Sequence, residues 1–297
     1  MNRRSLLLAP LLAAPAIART AQGQAAAPVV ASFSILGDLL RQTGGEAVAV
    51  RAIAGPDADA HVFQPRPSDA GSLRGAKMLL RNGLGFDPWF DRLARGAAPT
   101  VPMVTAAEGL PRRMMPGHAH GGAAPREVAD PHAWQDVTAA AHYVRNIAAG
   151  LAAAGITASG AEPYLARLAA LDAWVRAEIA RVPAARRVVV TSHDAFGWFA
   201  AAYGVRFLAP QGVSTDAQAS AAQVARLIRQ LRQDNITAVF IENMSQPATL
   251  QRLATEAGVR VQGRLFADAL SPPDGPAPSY EAMMRHNVGL MVPAMLG

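Results

Sequence analysis

The sequence predicts an α/β protein of two lobes, each a mainly parallel sheet flanked by helices, joined by one long linking helix. Three observations carry that expectation. Short apolar runs rich in β-branched residues alternate with helix-length amphipathic segments, which is the alternation that parallel strands joined by crossover helices require. The alternation occurs twice. Between its two occurrences, the stretch 161–182 repeats Leu165, Leu168, Leu171, Val175 and Ile179 at spacings of three or four, one apolar stripe of a long helix.

In chain order, strands are expected at 29–33, 48–53, 77–80 and 101–104, with helices at 36–42, 68–74 and 88–95 between them. The second set places strands at 188–191, 205–208, 238–241 and 260–261, with helices at 195–203, 220–233 and 247–257. Pro163 suits the first turn of the long helix, where its missing N–H costs nothing, and Pro183 suits its end. The division is then an N-terminal lobe over 26–158, a linking helix over 159–183 and a C-terminal lobe over 184–297. The segment 111–129, with Gly117, Gly121, Gly122 and prolines at 111, 116 and 125, reads as a mobile loop.

The first residues read as a secretory signal peptide. Asn2-Arg3-Arg4 is a basic head, 5–17 is an apolar run too short to span a bilayer, and small residues follow. The signal is expected to occupy 1–25, with cleavage after Ala18 or Ala25; the paired arginines weakly resemble a twin-arginine export signal. No other stretch reaches the roughly 18 uninterrupted apolar residues of a transmembrane helix. The chain has no cysteine, which removes disulfides, thiolate ligands, a cysteine nucleophile and a lipidated cysteine together. The expectation is a soluble periplasmic protein that is not a lipoprotein.

A net charge of +6 invites a nucleic-acid reading, but Arg3, Arg4 and Arg19 all precede Ala25. Without them 25 basic residues face 22 acidic ones, and no dense Lys/Arg block tracks a phosphate backbone. No nucleic-acid partner is expected.

In open α/β sheets, ligands gather beyond the carboxyl ends of the strands, so polar residues just after strand runs carry the most information. Four segments qualify: "GPDADAHVFQPRPSDA" with His61, "ADPHAWQDV" with His132, "VVVTSHDAFGWF" with His193 and "RLFADALSPPDG" with Asp268. They lie 71, 61 and 75 residues apart, so only the fold can bring them together. Three imidazoles and a carboxylate suit tetrahedral Zn²⁺, with Mn²⁺ or Fe²⁺ as alternatives. Four protein ligands leave no open position for an activated water, which favours holding a metal over using it in hydrolysis.

These segments resemble the metal-binding substrate-binding proteins of bacterial zinc/manganese ABC importers. The resemblance rests on Asp59-Ala60-His61-Val62-Phe63-Gln64-Pro65 with Ser68-Asp69, on Asn82-Gly83-Leu84-Gly85, on Asp130-Pro131-His132-Ala133-Trp134, on Ser192-His193-Asp194-Ala195-Phe196-Gly197, on Phe266-Ala267-Asp268-Ala269-Leu270 and on Met284-Arg285-His286-Asn287, in that order. It implies two α/β lobes bridged by a long helix, with the metal between them on His61, His132, His193 and Asp268. It also implies a monomer that meets a membrane permease, and a periplasmic metallochaperone as a further partner. Manganese-type members of that family generally carry a glutamate where this chain has His193, so the resemblance leans toward zinc. Two features depart from it: the histidine-rich loop of many zinc-type members is reduced here to His118-Ala119-His120, and a disulfide found in some cannot form.

Competing readings attach to the same residues. A Ser/His/Asp hydrolase would use Ser192, but the segment lacks the Gly-x-Ser-x-Gly elbow. A secreted zinc hydrolase would use the three histidines with Asp268 as base. Asp268 can also simply begin the turn that 271–275 completes. Asp194 is expected to cap a helix starting at Ala195, Asp130 to act as a cap or as partner to an imidazole, and Glu242 as a supporting group or a polar strand end. His142 and His286 read as structural or surface residues, and His118 with His120 as a low-affinity relay at most.

Overall fold

The computed structural model describes residues 25–116, 127–216, 219–244 and 247–297. The first lobe opens with β1 (Ala27–Phe33), α1 (Ser34–Gly44), β2 (Val48–Ala54), α2 (Pro67–Arg74), β3 (Met78–Arg81), α3 (Pro88–Ala97) and β4 (Met103–Thr105). Its four strands are all parallel and lie in the order β2-β1-β3-β4. The central β1 is buried along its last five residues, which is why it reads as a continuous apolar run. A two-stranded antiparallel pair, β5 (Met114–Pro116) and β6 (Glu127–Ala129), follows, and then α4 (Val137–Ala153).

The helix α5 (Ala161–Ala180) leads to the second lobe: β7 (Val188–Val190), α6 (Gly197–Tyr203), β8 (Arg206–Leu208), α7 (Ala221–Gln233), β9 (Val239–Glu242), α8 (Pro247–Ala257), β10 (Val261–Leu265) and α9 (Tyr280–Leu296). Read from the opposite edge, its parallel sheet runs β8-β7-β9-β10, so second, first, third and fourth strands are neighbours in both lobes. In each lobe the winding reverses at the first strand, and the crevice beyond its carboxyl end is where such sheets bind ligands. Among the described residues, no helix is long and apolar enough to cross a membrane.

One apolar core runs through both lobes. It joins Phe33, Leu36 and Leu80 of the first sheet region to Phe196, Phe199 and Tyr280 of the second lobe, while a smaller cluster under α7 and α8 holds Leu227, Leu231 and Leu253. The helix α5 enters the main core through Tyr164, Leu168, Leu171, Val175 and Ile179. Leu165, expected in that stripe, is only half-buried because Tyr164 takes the inward position one residue earlier.

Three local expectations are corrected. At the two ends of the segment 111–129, residues 114–116 and 127–129 pair as β5 and β6, Met114 to Ala129 and Met115 to Val128, while 117–126 lie outside the described residues; strands of three residues are too short to leave a periodic signal. Of the two readings of Asp130, the cap does not hold: residues 133–135 form a single 3₁₀ turn, α4 starts at Val137 with Asp136 accepting the Thr138 N–H at 2.8 Å, and Asp130 partners the His132 ring. Nor does Asp194 cap a helix at Ala195, since α6 begins at Gly197 without a side-chain cap. The Asp194 N–H is instead donated to Gly212 O and that of Ala195 to His193 O, which holds 193–195 as a tight turn.

Candidate metal centre

The carboxyl ends of the two sheets set out the site. His61 lies in the loop after β2, His193 shortly after β7, and Asp268 after β10, while His132 follows β6 by three residues. The structure brings all four together: one donor atom from each lies within 4.8 Å of every other.

His132 is built on Asp130. The Asp130 Oδ1 accepts the backbone N–H of His132 at 3.0 Å and the ring Nδ1–H at 2.9 Å, which leaves Nε2 facing inward. Asn82 donates to Pro131 O at 2.9 Å and accepts from the Tyr143 hydroxyl at 2.7 Å, so the Asn82-Gly83-Leu84-Gly85 segment braces this turn.

The second lobe repeats the device. Glu242, the last residue of β9, accepts the N–H of Ser192 at 2.9 Å and of His193 at 3.1 Å through Oε1, while its Oε2 takes the His193 ring Nδ1–H. Each lobe thus orients one imidazole through a buried carboxylate that grips both backbone and ring.

His61 is placed differently. Its backbone N–H is donated to Asp59 at 3.0 Å, Trp89 donates to Ala60 O at 2.7 Å, and the ring meets the edge of Phe86 at a centroid distance of 4.6 Å. Asp268 is fixed through its neighbours: Trp134 and Gln135 both donate to Ala267 O at 2.8 Å, and the Asn287 amide bonds the N–H and carbonyl of Phe266.

The inward atoms crowd one point. Asp268 Oδ2 lies 3.2 Å from His61 Nε2 and from His193 Nε2, Oδ1 lies 3.6 Å from His132 Nε2, and His61 and His132 Nε2 are 3.2 Å apart. A tetrahedral zinc with bonds of roughly 2.0–2.1 Å would hold its ligand atoms about 3.3 Å from one another. The 3.2–3.6 Å separations lie close to that value, while the four donor atoms together span up to 4.8 Å, so the group could close around one metal ion. Asp268 is fully buried, yet neither of its oxygens accepts a well-aligned hydrogen bond among the described residues.

Charge follows the same geometry. Burial pushes the His61 imidazole below its usual range. Burial also acts to lower His193, but the facing carboxylates of Glu242 and Asp268 outweigh it and hold the ring well above that range. For Asp268, burial favours the neutral form, and the His193 and His132 rings overcome it, holding the carboxyl well below the ordinary range.

The family model for zinc-uptake complex component A, periplasmic, matches residues 29–294. The chain belongs to that family. It is a metal-binding substrate-binding protein of an ABC importer. Among curated relatives, the iron-binding protein YfeA of Yersinia pestis is 29% identical over 265 residues, 88% of this chain and 83% of the relative. The manganese-binding lipoprotein MntA of Halalkalibacterium halodurans is 29% identical over 271 residues, 89% and 87% of the two chains. The zinc-binding protein TroA of Treponema pallidum is 30% identical over 279 residues, 90% and 88%. Its solved structure superposes with a TM-score of 0.80 at 28% identity, covering 91% of this chain and 99% of that one.

Other expected residues fall outside the cluster. His142 Nε2 meets Glu108 O at 2.6 Å and His286 Nε2 meets Arg264 O at 2.9 Å, both structural contacts. His118 and His120 lie outside the described residues. Of two further supporting residues, Arg113 was not singled out from the sequence and Gly197 only as the end of the 192–197 segment. Arg113 faces Asp130 Oδ2 at 3.7 Å from within a segment read as a loop. Gly197 leaves room for the same oxygen, since a Cβ there would lie 2.4 Å from it. A glycine beginning a helix gave no signal of that packing.

Proposed function

We propose that the chain is a periplasmic carrier that takes up one Zn²⁺ between its lobes, on His61, His132, His193 and Asp268, and delivers it to an importer's membrane permease. The observation that carries this reading is the buried Asp268 carboxylate, without a well-aligned hydrogen bond among the described residues and ringed by three imidazole nitrogens at 3.2–3.6 Å. A buried carboxylate faced by three ring nitrogens calls for positive charge at the centre of the group, which one bound cation would supply to all four. Three nitrogens and one oxygen favour zinc over manganese in the usual order of divalent affinities. The resemblance supports the same choice, because His193 stands where manganese-type members carry glutamate.

Manganese or iron on the same scaffold is the second reading, favoured by the metals named for MntA and YfeA. Four protein ligands leave no position for an activated water, so the role is carriage and not hydrolysis. The division proposed is a lobe over 26–158, a stiff spine over 159–183 and a lobe over 184–297, with the protein working as a soluble monomer after removal of its signal peptide. A periplasmic metallochaperone is a further proposed partner. Elemental analysis of protein purified from its native periplasm tests the metal: one zinc per chain supports the reading, and manganese or iron in its place assigns the alternative.

A further inference from the structure

The loop that carries His61 closes the solvent side of the site. The His61 side chain keeps 5% of its surface exposed, while those of His132, His193 and Asp268 keep none. His61 also differs in support. Asp130 and Glu242 take the Nδ1–H of His132 and His193, whereas His61 Nδ1 has no hydrogen bond among the described residues.

Something else must hold this loop in place, and Asp57 does so at an unusual position. Residues 55–58 form a turn closed by the Ala58 N–H donating to Gly55 O at 3.3 Å, with Pro56 second and Asp57 third at φ 54°. A turn with proline second and positive φ third favours glycine there. The aspartate instead reaches the other lobe twice: its N–H is donated to Leu270 O at 3.0 Å, and its Oδ1 accepts the Asn243 amide at 2.8 Å. The same Asn243 Nδ2 reaches Ala269 O at 3.3 Å, and two acceptors fix which way the amide points. Asn243 follows Glu242, which grips His193, and Ala269 follows Asp268. One amide therefore ties together the loops that carry His61 and Asp268, from the end of the strand whose Glu242 grips His193.

Resting on the reading of those donors as one cation site, we infer that Asp57 and Asn243 form an inter-lobe latch that sets how fast the metal leaves. They act as positioning residues. Opening the latch frees the His61 loop while His132 and His193 remain gripped by their carboxylates, so release begins at His61.

The test mixes zinc-loaded protein with excess chromophoric chelator and times release by stopped flow, with melting of the metal-free protein in parallel. Asn243→Ala and Asp57→Gly each cut the bond, and glycine suits the backbone at position 57. Each is expected to speed release about three- to tenfold, the worth of one hydrogen bond, with the metal-free melting temperature shifted by no more than about 2 °C. Asp57→Asn, which tolerates the same backbone and keeps an acceptor oxygen, stays within about twofold of the unmodified protein. The double variant releases no faster than the faster single variant, because both cut the same bond. Unmodified rates in Asn243→Ala, or single effects that multiply in the double variant, overturn the latch. Unmodified protein that takes up no zinc overturns the site itself, and the latch with it.

Discussion

Glu242 holds His193 at two points, its Oε1 accepting the backbone N–H at 3.1 Å while its Oε2 takes the ring Nδ1–H. Asp130 holds His132 in the same way from the other lobe, over two residues where Glu242 spans 49. A ring fixed through backbone and Nδ1 together has one direction and, when neutral, one tautomer, and both Nε2 atoms point at Asp268.

Replacing Glu242 by glutamine keeps the size of the group and removes the charge that faces the ring. Zinc affinity measured by chelator competition is expected to fall about 10–100-fold, with far-ultraviolet circular dichroism unchanged. Unchanged affinity would leave Glu242 as a packing residue only.

Metal uptake should release a proton. His193 is held well above its ordinary range, so the metal-free protein carries that proton across neutral pH and zinc must displace it. Affinity then rises about tenfold per pH unit while the ring is protonated, and levels off above its raised value. His61, pushed down by burial, adds no such competition near neutrality. Calorimetry in buffers of different ionisation enthalpy measures the proton count, and a count of zero contradicts the assignment.

The metal-free fold should respond to pH with the opposite sign. A histidine raised in the folded state stabilises it below the unfolded pKa, and that contribution is lost as pH rises through the raised value. Asp268, held low, loses its contribution only as pH falls through its own lowered value. Melting temperatures of zinc-free protein are therefore expected to fall between neutral and mildly alkaline pH, while the rise on adding zinc grows. A zinc-induced rise that shrinks over that interval would be inconsistent with this coupling.

Gly197 offers a test at the edge of the site. A Cβ at this position would come within 2.4 Å of Asp130 Oδ2 and 3.1 Å of Arg113 Nε, so Gly197→Ala must push the carboxylate off His132. The expected result is a loss of about 1–3 kcal/mol in unfolding free energy, with weaker zinc binding. A variant that binds zinc and melts like the unmodified protein would show that Asp130 can move without consequence.

The sheets were legible in the sequence as β-branched runs, and three of the four clustered residues, His61, His193 and Asp268, stand after parallel strands that those runs form, while His132 follows the antiparallel β6 in a segment read as a loop. Val188, Val189 and Val190 lead to His193 in this way, and Val239 and Phe240 lead to Glu242. Asp130 and Glu242 were legible as carboxylates that could support an imidazole, but the contacts that cross lobes were not, because they join residues far apart in the chain. Trp134 and Gln135 reach Ala267 across 133 and 132 residues, and Asn243 reaches Asp57 across 186. Asp194 was misplaced for a local reason: a polar residue after a strand looks like a helix cap, and only the bonds to Gly212 and within 193–195 show a turn there instead.

Anomalous diffraction at the zinc edge from crystals of the zinc-loaded protein tests the central claim most directly. The expected result is one ion between the lobes, about 2.0–2.2 Å from the Nε2 atoms of His61, His132 and His193 and from an oxygen of Asp268. An ion bound elsewhere, or one that leaves any of these four residues uncoordinated, would contradict it.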